Sequence, residues 1–223
     1  MHTSESRIAS FANCGYYSSV WNYNGEILKI TEDQSTIDFY NAVQDEHNPI
    51  GLPDICLLSD DTLNDILFDV TIPKGYSGTV PNVKSSRYRF LKDAALLSEF
   101  HVYKMPKYQP LSPVLLKHLN RWYQTVEDKD IGICGETIAD LEEVIKSFKK
   151  VIPSRCYYPD SLDFLNGYLL ARNNWSMDLH KANFLMDANG KLVFLDPVCG
   201  SKTNGLPIGY KTILNKKNGL HLR

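Results

Sequence analysis

Between Arg7 and Ile30, apolar and polar residues fall in short alternating runs that predict three strands. A turn around Gly15 separates the first two, and Asn24-Gly25, a pair that tolerates positive φ, predicts the hairpin between the second and third. From Ser35 to Glu46 the period changes, and Ile37, Tyr40 and Val43 recur at helical spacing. Ser35 and Asp38 fit a capping box at that helix's start. Two more strands are predicted at Ile55–Leu58 and Phe100–Met105, around an insertion punctuated by Gly and Pro, TIPKGYSGTVPNVK. From Ser112 onward the apolar period is helical. Pro113 at a first turn introduces VLLKHLNRWYQTV. Thr137 caps IADLEEVIKSFKKVI, with Glu142 and Lys146 spaced for an ion pair, and Asp160 caps SLDFLNGYLLARNN. Two apolar strands, Phe184–Met186 and Leu192–Leu195, then flank the tight turn Asp187–Gly190. Strands first and helices second predict an α+β fold. The boundaries are a sheet domain over 1–106, a helical domain over 107–200 and a tail over 201–223.

Composition narrows the class. With 43% hydrophobic residues and a net charge of −2, a packed core is expected, and bulk nucleic-acid binding is not. No run is long enough to span a bilayer, and MHTSESRIASFANCG lacks an apolar signal region, so a cytoplasmic protein is expected. Five scattered cysteines without a C-x-x-C pair read as reduced thiols. From Cys199 to Arg223 there are five Lys or Arg and no acid: a flexible basic tail, or a docking surface for an acidic partner.

The candidate chemistry lies where the last hairpin begins and ends. That hairpin sets Asn183 and Asp196 side by side, with Asp178 further along the preceding loop. Two carboxylates and an amide oxygen form a hard-oxygen set suited to Mg²⁺ held together with phosphates. The plainer reading is a surface hairpin whose Asp and Asn side chains satisfy local backbone. Lys29, flanked by Ile27, Leu28 and Ile30, shares a face with Ile27. An ammonium turned inward there needs an anion, whereas one at a sheet edge needs none.

Asp178-x-x-x-x-Asn183, with Asp196 thirteen positions after Asn183, resembles the catalytic loop and metal-binding Asp of the protein-kinase-like fold. GYYSSVW with EILKI, HVYKMP, and DLHKANFLMDANGKLVFLDP occur in that fold's order. The resemblance implies a reduced bilobal fold, with an antiparallel sheet lobe, a small helical lobe and the catalytic hairpin at the cleft. It implies ATP and Mg as cofactors. Asp178 then accepts the acceptor hydroxyl's proton, Asn183 and Asp196 hold the metal, and Lys29 pairs the α/β-phosphates. Gly15, Tyr17, Ser18 and Val20 form the loop over the nucleotide. Ile27, Met105 and Leu185 line its base, next to a hinge over Met105–Tyr108. The acid that pairs with Lys29 is open among Asp38, Asp45 and Glu46. His180 stands where protein kinases carry the Lys that contacts the γ-phosphate, and Asp178-Leu179-His180 is similar to the aminoglycoside and choline kinases.

Asp196-Pro197-Val198 resembles the early serine/threonine protein kinases of T-odd (T-seven-like) podophages. That family implies transfer to Ser/Thr hydroxyls of host bacterial proteins in the host cytoplasm. Ser176 and Met177 replace the usual His-Arg, so activity is expected not to depend on activation-loop phosphorylation. The family usually carries a further C-terminal domain linked to shutting off host transcription, where this sequence has the basic tail. Ser201 and Thr203 are candidate autophosphorylation sites by proximity. Two other functions are open: a small-molecule phosphotransferase, and a kinase-like module that binds and inhibits a host protein.

Overall fold

The computed structural model describes residues 8–14, 18–31, 33–69, 87–89, 101–128, 138–172 and 175–200. In chain order these form β1 (Ile8–Cys14), β2 (Ser18–Tyr23), β3 (Glu26–Thr31), α1 (Gln34–Asp45), β4 (Cys56–Leu57), α2 (Asp60–Asn64), β5 (Leu67–Asp69) and β6 (Arg87–Arg89). There follow β7 (His101–Pro106), α3 (Pro113–Asp128), α4 (Ile138–Val151), α5 (Pro159–Leu170), β8 (Trp175–Met177), β9 (Phe184–Met186), β10 (Leu192–Phe194) and β11 (Val198–Gly200). The chain is thus mixed α and β. It divides into two compact units, the first holding the described residues up to 33 and from 55 to 107, the second those from 34 to 54 and from 108 onward.

The first unit is a seven-stranded sheet in the order β4-β7-β3-β2-β1-β5-β6, antiparallel except where β1 meets β5. The β2–β3 hairpin turns through Asn24 and Gly25, with φ of 50° and 82°, which is why that pair stands there. One sheet face carries an aromatic cluster. Trp21 lies edge-on to Phe11 and Phe68, with centroids 5.5 and 5.0 Å away, and Leu28, Ile30 and Val102 extend the same face. β5, β6 and α2 have no forecast in the alternation pattern: at three to five residues each they are too short to show a period.

The second unit is built around Phe148 on α4. Its ring meets Trp122, Tyr157, Phe184 and Phe194 at 5.2, 5.3, 6.2 and 5.7 Å, joining α3, α4 and the β9–β10 hairpin. Trp122 Nε1 donates to Ser147 Oγ at 2.9 Å, so the one polar atom of that indole is satisfied. α1 belongs to this unit. Its Phe39 packs against Tyr168 and Phe164 of α5 at 5.2 and 6.3 Å. The expected sheet domain ran unbroken from 1 to 106; the observed division instead gives 34–54 to the helical part.

Helix starts differ in detail from expectation. α1 begins at Gln34, so Ser35 is buried inside the first turn, and Asp38 accepts from Gln34 Nε2 at 2.6 Å. α5 begins at Pro159 behind Tyr158. Proline's fixed φ suits the first helical position, which leaves Asp160 in the first turn as a charge favourable to the dipole. Lys146 meets Glu143, at 3.7 Å. Thr137, the insertion from 71 to 84 and the tail from 201 lie outside the described residues. Among those described, no helix is long and apolar enough to cross a membrane.

Candidate active site

Two short ladders meet at the site. In the β9–β10 hairpin, Phe184 faces Phe194 and Met186 faces Leu192; beyond its open end Leu195 N donates to Asn183 O at 2.9 Å. In the second ladder Met177 of β8 faces Val198 of β11, and Asp178 N donates to Pro197 O at 2.7 Å. Asp178, Asn183 and Asp196 therefore all fall at the junction, where one ladder stops and the other starts. The apolar residues beside them in sequence, Met177, Leu179 and Phe184, are buried.

The loop is held tightly. Residues 181–183 make one 3₁₀ turn, with Asn183 N donating to His180 O at 2.8 Å. Asn183 Nδ2 donates to Asp178 O at 2.9 Å, which links the first residue of the set to the second. From α3, Tyr123 OH donates to Leu179 O at 2.6 Å, and Lys181 Nζ donates to Asn120 Oδ1 at 3.1 Å. From α1, Thr36 Oγ1 donates to Asp196 Oδ1 at 3.1 Å, and Tyr40 OH donates to Leu195 O at 2.9 Å. None of these four anchors stands out in the sequence. Tyr40 gave the clearest signal, since a Tyr in a buried helical stripe still needs a partner for its hydroxyl.

Burial pushes the Asp178 carboxyl above its usual range, the His180 ring opposes this, and the charge of Asp196 adds to it. Asp178 Oδ1 is shielded from solvent and accepts no hydrogen bond, and it lies 3.3 Å from His180 Nε2. The His180 side chain is 64% exposed. Burial and the Asp178 charge also push the Tyr123 phenol up, so it remains a donor throughout the physiological range. Among the described residues, no three His, Cys, Asp or Glu side chains gather as a self-sufficient metal site. A half-buried carboxylate beside a second carboxylate and an amide does fit a hard divalent cation that takes its remaining ligands from phosphate and water.

The other predicted residues lie mostly in the first unit. Strand register sets Val20 opposite Lys29, Lys29 opposite Tyr103, and Ile27 opposite Met105, so Val20, Ile27, Lys29 and Met105 share the sheet face that does not carry Trp21. Lys29 is only 6% exposed, as the alternation of β3 implies. Ser18 opens β2 opposite Thr31, while Gly15 and Tyr17 lie outside the described residues. In the second unit, Leu185 is half-buried on β9 opposite Val193. Tyr108 OH accepts from Asp54 N at 2.8 Å, and Gln109 exchanges two backbone hydrogen bonds with Met186, at 2.8 and 2.9 Å. No protein-family model matches this chain, and no curated protein is significantly similar to it.

Proposed function

We propose that the chain is a protein kinase: an ATP- and Mg²⁺-dependent enzyme that phosphorylates Ser/Thr hydroxyls of bacterial proteins, built on a reduced protein-kinase-like fold. The observation that carries the reading is the junction of the two ladders, which brings Asp178, Asn183 and Asp196 together on backbone hydrogen bonds. The single sheet face shared by Val20, Ile27, Lys29 and Met105 adds support, because it gives a nucleotide an apolar surface with one buried ammonium.

In this reading Asp178 accepts the proton of the acceptor hydroxyl. The hydroxyl oxygen forms a bond to the γ-phosphorus, the bond to the β–γ bridging oxygen breaks, and ADP leaves with that electron pair. A raised carboxyl suits a base better than an ordinary one, since it holds the transferred proton more firmly. Asn183 and Asp196 would hold Mg²⁺, which supplies neutralisation of phosphate charge when bound. Lys29 pairs phosphate oxygens, and His180, exposed at the loop, donates to the transferred group.

Incubation with labelled ATP, Mg²⁺ and bacterial lysate tests this. Labelled protein bands are expected, and Asp178→Ala and Asp196→Ala should each lower labelling by about 10²-fold or more. Near wild-type labelling by either variant overturns the assignment. The His180–Asp178 pair favours a second reading, transfer to a small molecule, in which label appears only in the soluble low-mass fraction. A kinase-like module that only binds and inhibits a host protein would give no transfer and a stable co-purifying partner. The charge of the run from Cys199 to Arg223, five Lys or Arg and no acid, would suit an acidic partner in either case.

A further inference from the structure

We propose that Thr36 is the positioning residue of Asp196, so that helix α1, distant in sequence, sets the aim of the metal-binding carboxylate. The inference rests on reading Asp196 as a metal ligand. Thr36 is 2% exposed, and its Oγ1 donates to Asp196 Oδ1 at 3.1 Å across 160 positions of sequence. A carboxylate on a strand end can rotate about two bonds. A buried donor on one oxygen restricts that rotation and biases the direction of both oxygens.

The helix is built for that contact. Thr36 lies in the first turn of α1, where no carbonyl of the same helix stands four residues earlier to take its hydroxyl. Four residues on, and on the same side of the helix, Tyr40 OH donates to Leu195 O at 2.9 Å. Two adjacent rungs of α1 thus hold two adjacent residues of the strand end, one by its backbone and one by its carboxylate. Tyr40 and Phe39 are both fully buried. Metal-ligating carboxylates are commonly fixed by such an outer partner, and its loss typically costs about 10–100-fold in metal affinity. The orienting donor is a core side chain, so in this reading it is present without any phosphorylated segment.

The test is direct binding of Mn²⁺ as a spectroscopic stand-in for Mg²⁺, in the presence of a non-hydrolysable ATP analogue, followed by the loss of the free Mn²⁺ paramagnetic signal. Thr36→Val keeps the shape and removes the donor, and is expected to weaken Mn²⁺ binding about 10–100-fold. Thr36→Ser restores the hydroxyl and should recover most of that loss. In transfer assays the Thr36→Val defect should appear as a raised KM for Mg²⁺ and fade at saturating metal, a split that a general packing defect would not produce. Wild-type binding with an equal affinity in a folded Thr36→Val variant overturns this inference alone. A wild-type protein that takes up no Mn²⁺ overturns the kinase reading as well.

Discussion

Asp178 is held against its own ionisation. Burial raises its carboxyl, the nearby Asp196 charge raises it further, and His180 offsets only part of this. The folded chain therefore keeps that proton more tightly than the unfolded chain does. Stability contributed by the protonated form is present at low pH and falls as pH rises from the ordinary carboxylate value to the raised one. At neutral pH the ionised group is a net burden on folding, and the proposed role as a base requires it to be ionised. Asp178→Asn should abolish transfer and raise the thermal midpoint at neutral pH, by about 2–4 °C for each kcal/mol recovered. That gain should vanish in acid, where the wild-type group is already neutral. Calorimetry of both proteins at two pH values checks it, and a variant less stable at both contradicts the account. This conflict was legible in part. The spacing of Asp178, Asn183 and Asp196 announced them because a short hairpin fixes where they meet. Thr36 gave no such signal: its partner lies 160 residues away, and a Thr near a helix start has many ordinary uses.

At the scale of one element, the β9–β10 turn shows how a carboxylate can act in the opposite sense. Asp187 Oδ1 accepts from the backbone N–H groups of Asn189 and Lys191 at 2.9 and 2.8 Å, and Oδ2 accepts from Tyr158 OH at 2.6 Å. Lys191 Nζ sits 4.3 Å from the centre of the Tyr158 ring. Burial alone would raise Asp187. Hydrogen bonds from Tyr158, Lys191 and Asn189 outweigh it and hold the carboxyl below its usual range. Its contribution to stability is therefore present above the ordinary carboxylate value and lost as pH falls through the lowered one. Asp187→Ala should cost about 1 kcal/mol at neutral pH, the partial exposure of the turn keeping it near the low end, and markedly less in strong acid. Urea titrations at the two pH values measure the difference; an equal cost at both would locate the effect elsewhere. The turn itself was readable from Asp-Ala-Asn-Gly, whose Gly190 has φ of 76°. The cap on α5 was not, because Pro159 competes with Asp160 for the start of the helix, and the fixed φ of Pro159 decides it.

For the molecule as a whole, chain order is a poor guide to which parts fold together. An apolar stripe on α1 announced a helix with one buried side, and the sequence contains nothing that says which neighbour buries it. The neighbour is α5 together with the strand end at Leu195, so the unit that holds the candidate catalytic loop is discontinuous in sequence. The energetic weight of that fact can be bounded. Ile37, Phe39 and Val43 are at most 4% exposed. At about 1.5–3 kcal/mol for each buried side chain, they stabilise the second unit by about 5–9 kcal/mol. A whole domain commonly retains only about 5–15 kcal/mol of net stability. A fragment beginning at residue 108 would thus lose most of its margin, along with the hydroxyl that orients Asp196. Such a fragment should show helical far-ultraviolet dichroism without a cooperative thermal transition, whereas the same fragment joined to residues 34–54 through a short flexible linker should regain one. A fragment from 108 that melts cooperatively by itself would mean that α1 is an accessory to this unit. Thr36 would then have to be explained without the helix being part of the fold that carries the loop.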